Sequence, residues 1–230
     1  MSAPEKKATQ TTDKTTIAPA ARTRTRRSRA SREAQLLGCA MLAFAEQGIS
    51  RATHANVAQK AQVSVPTVFA YFPTREALVD AVLKQVDQYF VSLVMAGAAG
   101  ARSSARDRLI NMILRCVDSQ KTHPEYICVL LDWSTSLRDP VWQRYLAFFD
   151  RIIAAFDSVL QDGKRDGSVS KSLDTNEAAR IIVGETHMIS MMLFAGFSRD
   201  RVSSFVGHYV DAALNFIPKK QGGPVLSRPR

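Results

Sequence analysis

The sequence predicts an all-α protein of about nine helices, with a small N-terminal head and a larger helical body. Three observations lead to this fold class. After residue 30, apolar residues recur three and four positions apart, as on the buried face of a helix. Gly, Pro and the capping residues Ser, Thr and Asp separate these segments, where helices end and begin. No convincing alternation of apolar and polar residues predicts a strand.

The head contains three predicted helices. The first runs from Ser31 to Gly48 on an apolar face of Leu37, Ala40, Met41 and Phe44. Thr53 caps a second helix from His54 to Gln62, in which Val57, Ala58 and Ala61 face inward. After a tight junction, a third helix from Val65 to Phe72 carries an inward face of Val65, Val68, Phe69 and Phe72.

The body begins with a long fourth helix. Pro73 ends the third helix, Thr74 caps the fourth, and the break at Gly97 to Gly100 ends it. Five more helices are predicted near 103–121, 124–137, 140–162, 175–196 and 200–217. Asp139 and Pro140 predict a helix start, Gly163 and Gly167 a helix end, and Asp174 with Glu177 a capping box.

Composition excludes several classes of protein. The 230 residues are 46% hydrophobic and 23% charged, which is enough for a packed head and body. No apolar run is long enough for a membrane span and the N-terminus lacks a secretory signal, so we expect a cytoplasmic protein. Cys39, Cys116 and Cys128 show no CxxC spacing and suit buried thiols in a reducing compartment.

Positive charge is concentrated at the N-terminal end. The formal net charge is +10, and residues 1–75 contain twelve Lys and Arg against four Asp and Glu. Residues 1–30 contain almost no large apolar residue, which predicts a disordered basic arm whose stretch from Arg22 to Arg29 contains five arginines. Such asymmetry is typical of proteins that bind a polyanion, and nucleic acid and an anionic membrane surface would both satisfy it. A solvated tail also has this composition.

The domain organisation follows from these patterns. We expect a basic arm over residues 1–30, a helix-turn-helix head over 31–75, a helical body over 76–217 and a flexible tail over 218–230. Two short helices joined by a tight turn, the second exposing small and hydroxyl residues, can occupy the major groove of DNA.

Specific stretches of the head resemble the TetR family of repressors. They are Gly48–Thr53, Val57–Ala58, Ala61–Val65, Thr67–Phe72 and Pro73–Leu78. The resemblance implies a TetR-like fold, in which a three-helix DNA-binding domain precedes a helical ligand-binding and dimerisation domain. A narrower resemblance, to the LuxR/HapR/SmcR group of vibrio quorum-sensing master regulators, rests on Arg24–Arg26, His54–Ala55, Ala61–Asp80 and Asp132–Trp142.

The resemblance assigns candidate contacts with double-stranded operator DNA. Arg24 and Arg26 match an arm that enters the minor groove. His54 lies in a matching stretch and joins the candidates. Residues suited to phosphate contacts are Thr53, Tyr71, Thr74 and Arg75, and residues that could face bases are Ser64, Val65, Pro66, Thr67 and Ala70. The group has Ala at the position of Pro66 and Asn at that of Ala70, so its operator sequence is not carried over.

The body offers a candidate dimer interface and a candidate pocket. The helix at 175–196 is apolar around most of its circumference, which predicts a four-helix interface with a second copy or a central position in its own body. The candidate interface residues are Ile189, Met192, Phe205, Tyr209 and Ala213. The resemblance places a ligand cavity at Trp133, Phe149, Ile152, Phe156 and Thr186, although such residues are also typical of plain core.

An enzyme is the first competing class. The sequence contains no nucleophile elbow, Walker loop, Rossmann glycine pattern or zinc-protease motif, and its four histidines lack metal-ligand spacing. We therefore expect no catalysis, cofactor or metal. A membrane-surface binder is the second class, although the arm lacks interleaved aromatic residues. Among regulators, the chain is either a global regulator that represses or activates, or a local repressor released by a small apolar inducer.

Overall fold

The computed structural model describes residues 28–99, 103–137 and 140–215, and these residues form nine α-helices and no strand. The head contains α1 (Arg29–Gln47), α2 (His54–Ala61) and α3 (Val65–Phe69). The body contains α4 (Arg75–Ala98), α5 (Ala105–Thr122), α6 (Pro124–Thr135), α7 (Trp142–Asp166), α8 (Thr175–Phe194) and α9 (Arg199–Leu214). The predicted all-α fold is confirmed. Residues 1–27 of the predicted arm, with Arg24 and Arg26, and the predicted tail from residue 218 lie outside the described residues. The last two residues of the predicted arm, Arg29 and Ala30, already belong to α1.

The head packs around α1. Ser28 caps this helix by accepting a hydrogen bond from the amide of Ser31 at 3.1 Å, so α1 begins two residues earlier than expected. Its buried face includes Leu36, Ala40 and Phe44, which belong to the same apolar core as α2 and α3. The core therefore uses Leu36, which is fully buried, where the sequence favoured the half-buried Leu37.

Helix α4 connects the head to the body. Thr74 caps its N-terminus, and the hydroxyl of Thr74 accepts a hydrogen bond from the amide of Ala77. The helix packs against α1 in the head and against α5, α6 and α7 in the body. A single apolar core therefore continues from the head into the body. The division at residue 75 stays a prediction, since one helix crosses from one unit into the other.

Two glycines expected to end helices lie inside them. A Cβ on Gly97 in α4 would come within 2.5 Å of the Cα atom of Met112, and one on Gly163 in α7 would come within 2.6 Å of the Cβ atom of Ala105. Both glycines therefore allow another helix to approach closely. Helix α7 ends at Gly167 instead, which has φ +85°.

Two other helix boundaries differ from the prediction. Helix α7 begins at Trp142 instead of residue 140, because the carbonyl oxygen of Val141 already accepts the amide of Tyr145 as the first helical bond. The predicted cap Asp139 lies outside the described residues. Helix α3 ends at Phe69, three residues earlier than expected, and a tight turn leads to Pro73.

Helices α5 and α9 are joined at both ends by an Arg–Asp ion pair. At one end α5 supplies the arginine, and at the other end α9 supplies it. Arg106 on α5 donates to Asp211 on α9, and Arg199 on α9 donates to Asp118 on α5, each through two nitrogen atoms. These hydrogen bonds hold the pKa of Asp118 and of Asp211 below the ordinary carboxyl value. Their contribution is therefore present above the ordinary carboxyl pKa and is lost as the pH falls through the lowered values. Because the pairs are exposed, solvent weakens them, and they specify antiparallel pairing more than they stabilise it.

None of the described helices, over 28–99, 103–137 and 140–215, is long and apolar enough to cross a membrane.

The contact between Gly97 and α5 generates a stability prediction. Gly97→Ala places a methyl group against the backbone of Met112, which cannot move without shifting a helix, and should lower the free energy of unfolding by about 1–3 kcal/mol. Urea denaturation followed by circular dichroism measures the change. Gly38→Ala is the matched control, because Gly38 lies in α1 with open space around it, and it should stabilise by about 0.5–1 kcal/mol. Equal stability of the two variants would contradict the close packing.

Candidate nucleic-acid interface and cavity

The turn between α2 and α3 is tightly specified. Thr53 and Asn56 form a capping box at the start of α2, with the Thr53 amide donating to Asn56 Oδ1 at 2.9 Å. At the end of α2, Gln62 adopts the left-handed conformation with φ +54°, and the amide of Val63 donates to the carbonyl of Ala58 at 3.0 Å. The chain reverses here within a few residues, so α3 has one defined orientation on α2.

Helix α3 presents most of its surface to solvent. Ser64, Val65, Pro66 and Ala70 are exposed and Thr67 is half-buried, with the Ser64 and Thr67 hydroxyl oxygens 2.8 Å apart. All five predicted base-facing residues therefore lie on the short segment 64–70, and four of them are open to solvent. A five-residue helix with an exposed surface of small and hydroxyl side chains can enter a groove without a steric clash from long side chains.

The inward face predicted for α3 is partly corrected. Val68 and Phe72 are buried, with 0% and 4% of their surfaces exposed, but Val65 and Phe69 are 36% and 45% exposed. Because the helix ends at Phe69, Phe72 belongs to the following turn and enters the core from there. Only two side chains of the expected four therefore anchor residues 64–72 on the head. These residues, which comprise α3 and the turn after it, are called the recognition segment below.

His54 is not an exposed contact residue. Its ring is buried, and its Nε2 atom lies 2.8 Å from the carbonyl oxygen of Phe72, an acceptor to which the ring nitrogen donates. The ring also stacks on Phe69, with centroids 4.0 Å apart and planes inclined by 6°. The structure thus corrects its candidate role: His54 joins the start of α2 to the end of the recognition segment and offers no surface to DNA.

The candidate phosphate-binding residues lie near helix starts. Thr53 and Thr74 are exposed caps of α2 and α4. Arg75 is half-buried and donates to the carbonyl of Ile49 through Nη2. Tyr71 is half-buried, and the guanidinium carbon of Arg29 lies 5.6 Å from the centroid of its ring. In the sequence, Arg29 was counted only as part of the arm and not among the candidate phosphate contacts. The five arginines over residues 22–29 could have indicated it.

The body contains an apolar cavity between α4, α5, α6, α7 and α8. Of the five predicted pocket residues, Phe149, Ile152, Phe156 and Thr186 line it. Trp133 does not: it packs behind the lining residue Phe148, and its indole N–H donates to the carbonyl of Val141 at 3.0 Å. Lining residues that the sequence analysis missed include Phe90, Met112, Cys116, Ile127, Tyr145 and Ile189.

The chemistry of this cavity suits an apolar molecule. Burial raises the pKa of the Cys116 thiol to about 12, so the thiol stays neutral. The Thr186 and Ser190 hydroxyls already donate to the carbonyls of Val183 and Thr186 within α8. The cavity volume is about 100 Å³. An apolar cavity of roughly 150 Å³ holds benzene, so this one admits only a small ligand unless its walls move.

An exposed apolar face lies at the end of α8. Met188, Met191, Phe194 and Phe197 are 52%, 53%, 47% and 37% exposed. This is a larger concentration of exposed apolar side chains than isolated surface residues produce, and such a patch is typical of an interface.

The predicted interface residues only partly match this apolar face. Met192 and Phe205 are half-buried and border a surface groove with Met188 and Phe197. Ile189, Tyr209 and Ala213 are buried inside the protomer, so they are corrected to core residues. One side of α8 is therefore packed in its own body and another is open to solvent, and the interface with a second copy stays a prediction.

Comparison with known proteins identifies relatives for both parts of the chain. Residues 36–82 match the family of bacterial regulatory proteins called the tetR family, and residues 102–191 match the tetracyclin repressor-like C-terminal domain. The HTH-type transcriptional regulator LuxR of Vibrio harveyi is 31% identical over 192 residues, which are 84% of this chain and 93% of that protein. The regulator BetI of Burkholderia cenocepacia is 31% identical over 114 residues, 49% of this chain and 59% of that protein.

Solved structures share the fold. A TetR-like transcriptional regulator from Rhodococcus sp. RHA1 matches with a TM-score of 0.69 at 20% identity, over 82% of this chain and 98% of that one. The regulator FadR of Bacillus subtilis, solved in complex with stearoyl-CoA, matches with a TM-score of 0.62 at 15% identity, over 79% of this chain and 97% of that one. At these identities the matches show the fold alone.

The buried position of His54 generates the second prediction. His54→Phe keeps an aromatic ring against Phe69 but leaves the Phe72 carbonyl without its donor, and should lower the free energy of unfolding by about 1–3 kcal/mol. Urea denaturation measures this change. His208→Phe is the control, because His208 is exposed on α9, and it should stay within about 0.5 kcal/mol of the parent. An unchanged stability for His54→Phe would contradict the structural role of the bond from His54 to the Phe72 carbonyl.

Proposed function

Because this chain belongs to the TetR family of bacterial transcriptional regulators, we propose that it binds operator DNA as a homodimer and acts as a LuxR-like global regulator. The observation that carries the proposal is the exposed surface of α3 over residues 64–70, held on the head by the buried side chains Val68 and Phe72. The protein acts by binding in the cytoplasm, where it reaches the chromosome, and needs no catalysis.

The recognition segment reads the major groove of the operator. Ser64 and Thr67 offer hydroxyls that donate to or accept from base edges, while Val65, Pro66 and Ala70 offer apolar contacts that suit the methyl group of thymine. Phe69 is also exposed and lies on the same segment. Residues 64–70 contain no side chain able to make the bidentate contact with adenine that Asn at position 70 would make, so the operator sequence of the LuxR group is not carried over to this chain.

Phosphate contacts orient the head on the duplex. Thr53 and Thr74 lie at helix N-termini, where backbone amides and the helix dipole favour an anion. Arg29, over the ring of Tyr71, adds a cation to the candidate contacts, and Arg75 stands at the start of α4. Arg24 and Arg26 of the arm enter the minor groove in this proposal, since narrow grooves attract arginine.

A homodimer follows from the apolar face on α8. Met188, Met191, Phe194 and Phe197 are all exposed in or just after the last turns of α8, and a two-fold axis through this region would bury the same residues on both copies. Two recognition segments would then occupy successive major grooves, about 34 Å apart, on a pseudo-palindromic operator.

The alternative is a local repressor that a small apolar inducer releases. The cavity favours it, because the walls are apolar and the volume of about 100 Å³ admits a small molecule. The likeness to LuxR favours the global regulator, because it extends over 84% of the chain and thus includes most of the body. An inducer could act only through different affinities for DNA-competent and incompetent dimers.

Genome-wide recovery of bound DNA followed by footprinting tests both candidates. A global regulator should yield many sites that share a pseudo-palindromic sequence. A local repressor should yield one or a few sites near its own gene. A small apolar inducer should release the protein from these sites. Recovery of no enriched duplex would exclude both functions, and binding to anionic vesicles in its place would favour the membrane-surface class.

The arm generates the third prediction. Arg24→Ala with Arg26→Ala should weaken operator binding and lower the slope of log affinity against log salt by about 4, because the homodimer has two arms and each of its four arginines displaces about one counterion. Fluorescence anisotropy at several salt concentrations measures both quantities. Lys6→Ala with Lys7→Ala removes the same charge from a part of the arm that is farther from the helix-turn-helix in sequence. This variant should weaken binding and lower the slope less. Equal slopes for the first variant and the parent would exclude the minor-groove role.

The apolar face generates the fourth prediction. Met191→Asp places a charge within the proposed dimer interface and should raise the dimer dissociation constant at least about tenfold, since a buried unpaired charge is costly. Sedimentation velocity across a concentration series measures it. Met95→Asp is the control, because Met95 is equally exposed at 56% but lies on α4. A parent protein that remains monomeric while binding the operator would contradict the homodimer.

A further inference from the structure

The peptide backbone of Ile49, in the loop between α1 and α2, is held from two directions. Its amide donates to the Oδ2 atom of Asp132 on α6 at 2.6 Å. Its carbonyl oxygen accepts from Arg75 on α4. The side chain of Ile49 is itself 2% exposed, so the whole residue is enclosed. A loop of the head is therefore bonded to the two body helices that approach it.

The loop is shaped to receive the carboxylate of Asp132. Gly48 has φ +82°, a conformation that side chains rarely adopt. A Cβ at Gly48 would lie 3.4 Å from Asp132 Oδ2 and 3.8 Å from both Cγ and Oδ1. The carboxylate therefore rests directly over Gly48, at the end of a helix that also packs on α1. A hydrogen bond from a backbone amide to a carboxylate is about twice as strong as one between neutral groups.

We propose that Asp132 is a positioning residue that fixes the angle of the helix-turn-helix head on the body through the backbone amide of Ile49. Helix α4 connects the two units covalently, and α1 also packs on α6, but apolar packing tolerates small rotations that a hydrogen bond does not. The bond from Asp132 to the Ile49 amide adds a directional attachment to this packing. The role rests on the proposed function, since the angle matters only if two heads must meet one operator.

The same helix reaches the cavity of the body. Trp133 follows Asp132 and stacks on Phe148 with centroids 5.6 Å apart, and it meets Tyr145 edge-on at 5.7 Å. Phe148 and Tyr145 both line the cavity, as does Leu130 of α6. Helix α6 therefore carries both part of the cavity wall and Asp132. This gives a physical role to Asp132 and Trp133, which the DNA-binding surface does not use.

The fifth prediction tests this role with three variants of the full chain. Asp132→Ala removes the acceptor, Asp132→Asn keeps an acceptor oxygen at the same place, and Asp150→Ala removes an exposed carboxylate of α7 as the matched control. Hydrogen exchange with mass spectrometry follows the amide of Ile49, thermal melting follows global stability, and anisotropy follows binding to the recovered operator and to a random duplex.

The expected result separates positioning from stability. Asp132→Ala should speed exchange at Ile49 at least about tenfold while exchange in α5, α7 and α9 stays unchanged. Its affinity for the operator should fall about tenfold, and its affinity for the random duplex less than about threefold, because only the operator requires two oriented heads. Asp132→Asn should remain within about threefold of the parent in all readouts, and Asp150→Ala should match the parent.

Three results would overturn the role. One is unchanged exchange at Ile49 in Asp132→Ala, which would mean that the bond does not protect the loop. Another is faster exchange at Ile49 with full operator affinity, which would mean that the bond does not set the angle. The last is faster exchange throughout the body, which would mean a general loss of stability. If the parent binds no operator, the proposed function fails, and the exchange of Ile49 still decides whether Asp132 holds the head.

Discussion

The recognition segment depends on the burial of Val68 and Phe72 in the core of the head. A helix of five residues cannot form alone in water, because nucleation costs more than one turn returns. Packing must therefore supply its stability. Two buried apolar side chains and the bond from His54 to the Phe72 carbonyl do so, and they leave the other residues of the segment free to face solvent. Because only these two side chains of the recognition segment are buried, most of its other side chains can remain exposed.

The junction of head and body also depends on a small number of specific contacts. The head is attached to the body through α4, and the loop at Gly48 and Ile49 bonds to α4 and α6. These attachments are polar and directional, and they add to the apolar core that continues from the head into the body. Directional bonds define an angle more sharply than apolar contacts do, because hydrogen bonds weaken steeply when they are misaligned. A regulator that must present two heads at one spacing benefits from such a junction.

The body divides its apolar residues among three uses. Most form the core, some line a cavity of about 100 Å³, and four stand exposed near the end of α8. Ile189 and Met188 illustrate the division: neighbours on one helix, they face the cavity and the solvent respectively. A helix that is apolar on several sides can serve its own body and a second copy at once, which explains why α8 shows no single apolar stripe.

The sequence by itself determined the helices, the head with its tight turn, and the membership of the family, because periodicity, caps and motif spacing are local properties of the chain. Only the tertiary structure decided which side of each helix is covered. In a helix as short as α3, Val65, Phe69 and Val68 all lie within little more than one turn, so periodicity cannot tell the buried side from the exposed one. His54 and Asp132 find their partners 18 and 83 residues away, and Trp133 lies one layer behind the cavity wall. Such placements depend on how the helices pack, and that is settled by contacts between residues far apart in the chain.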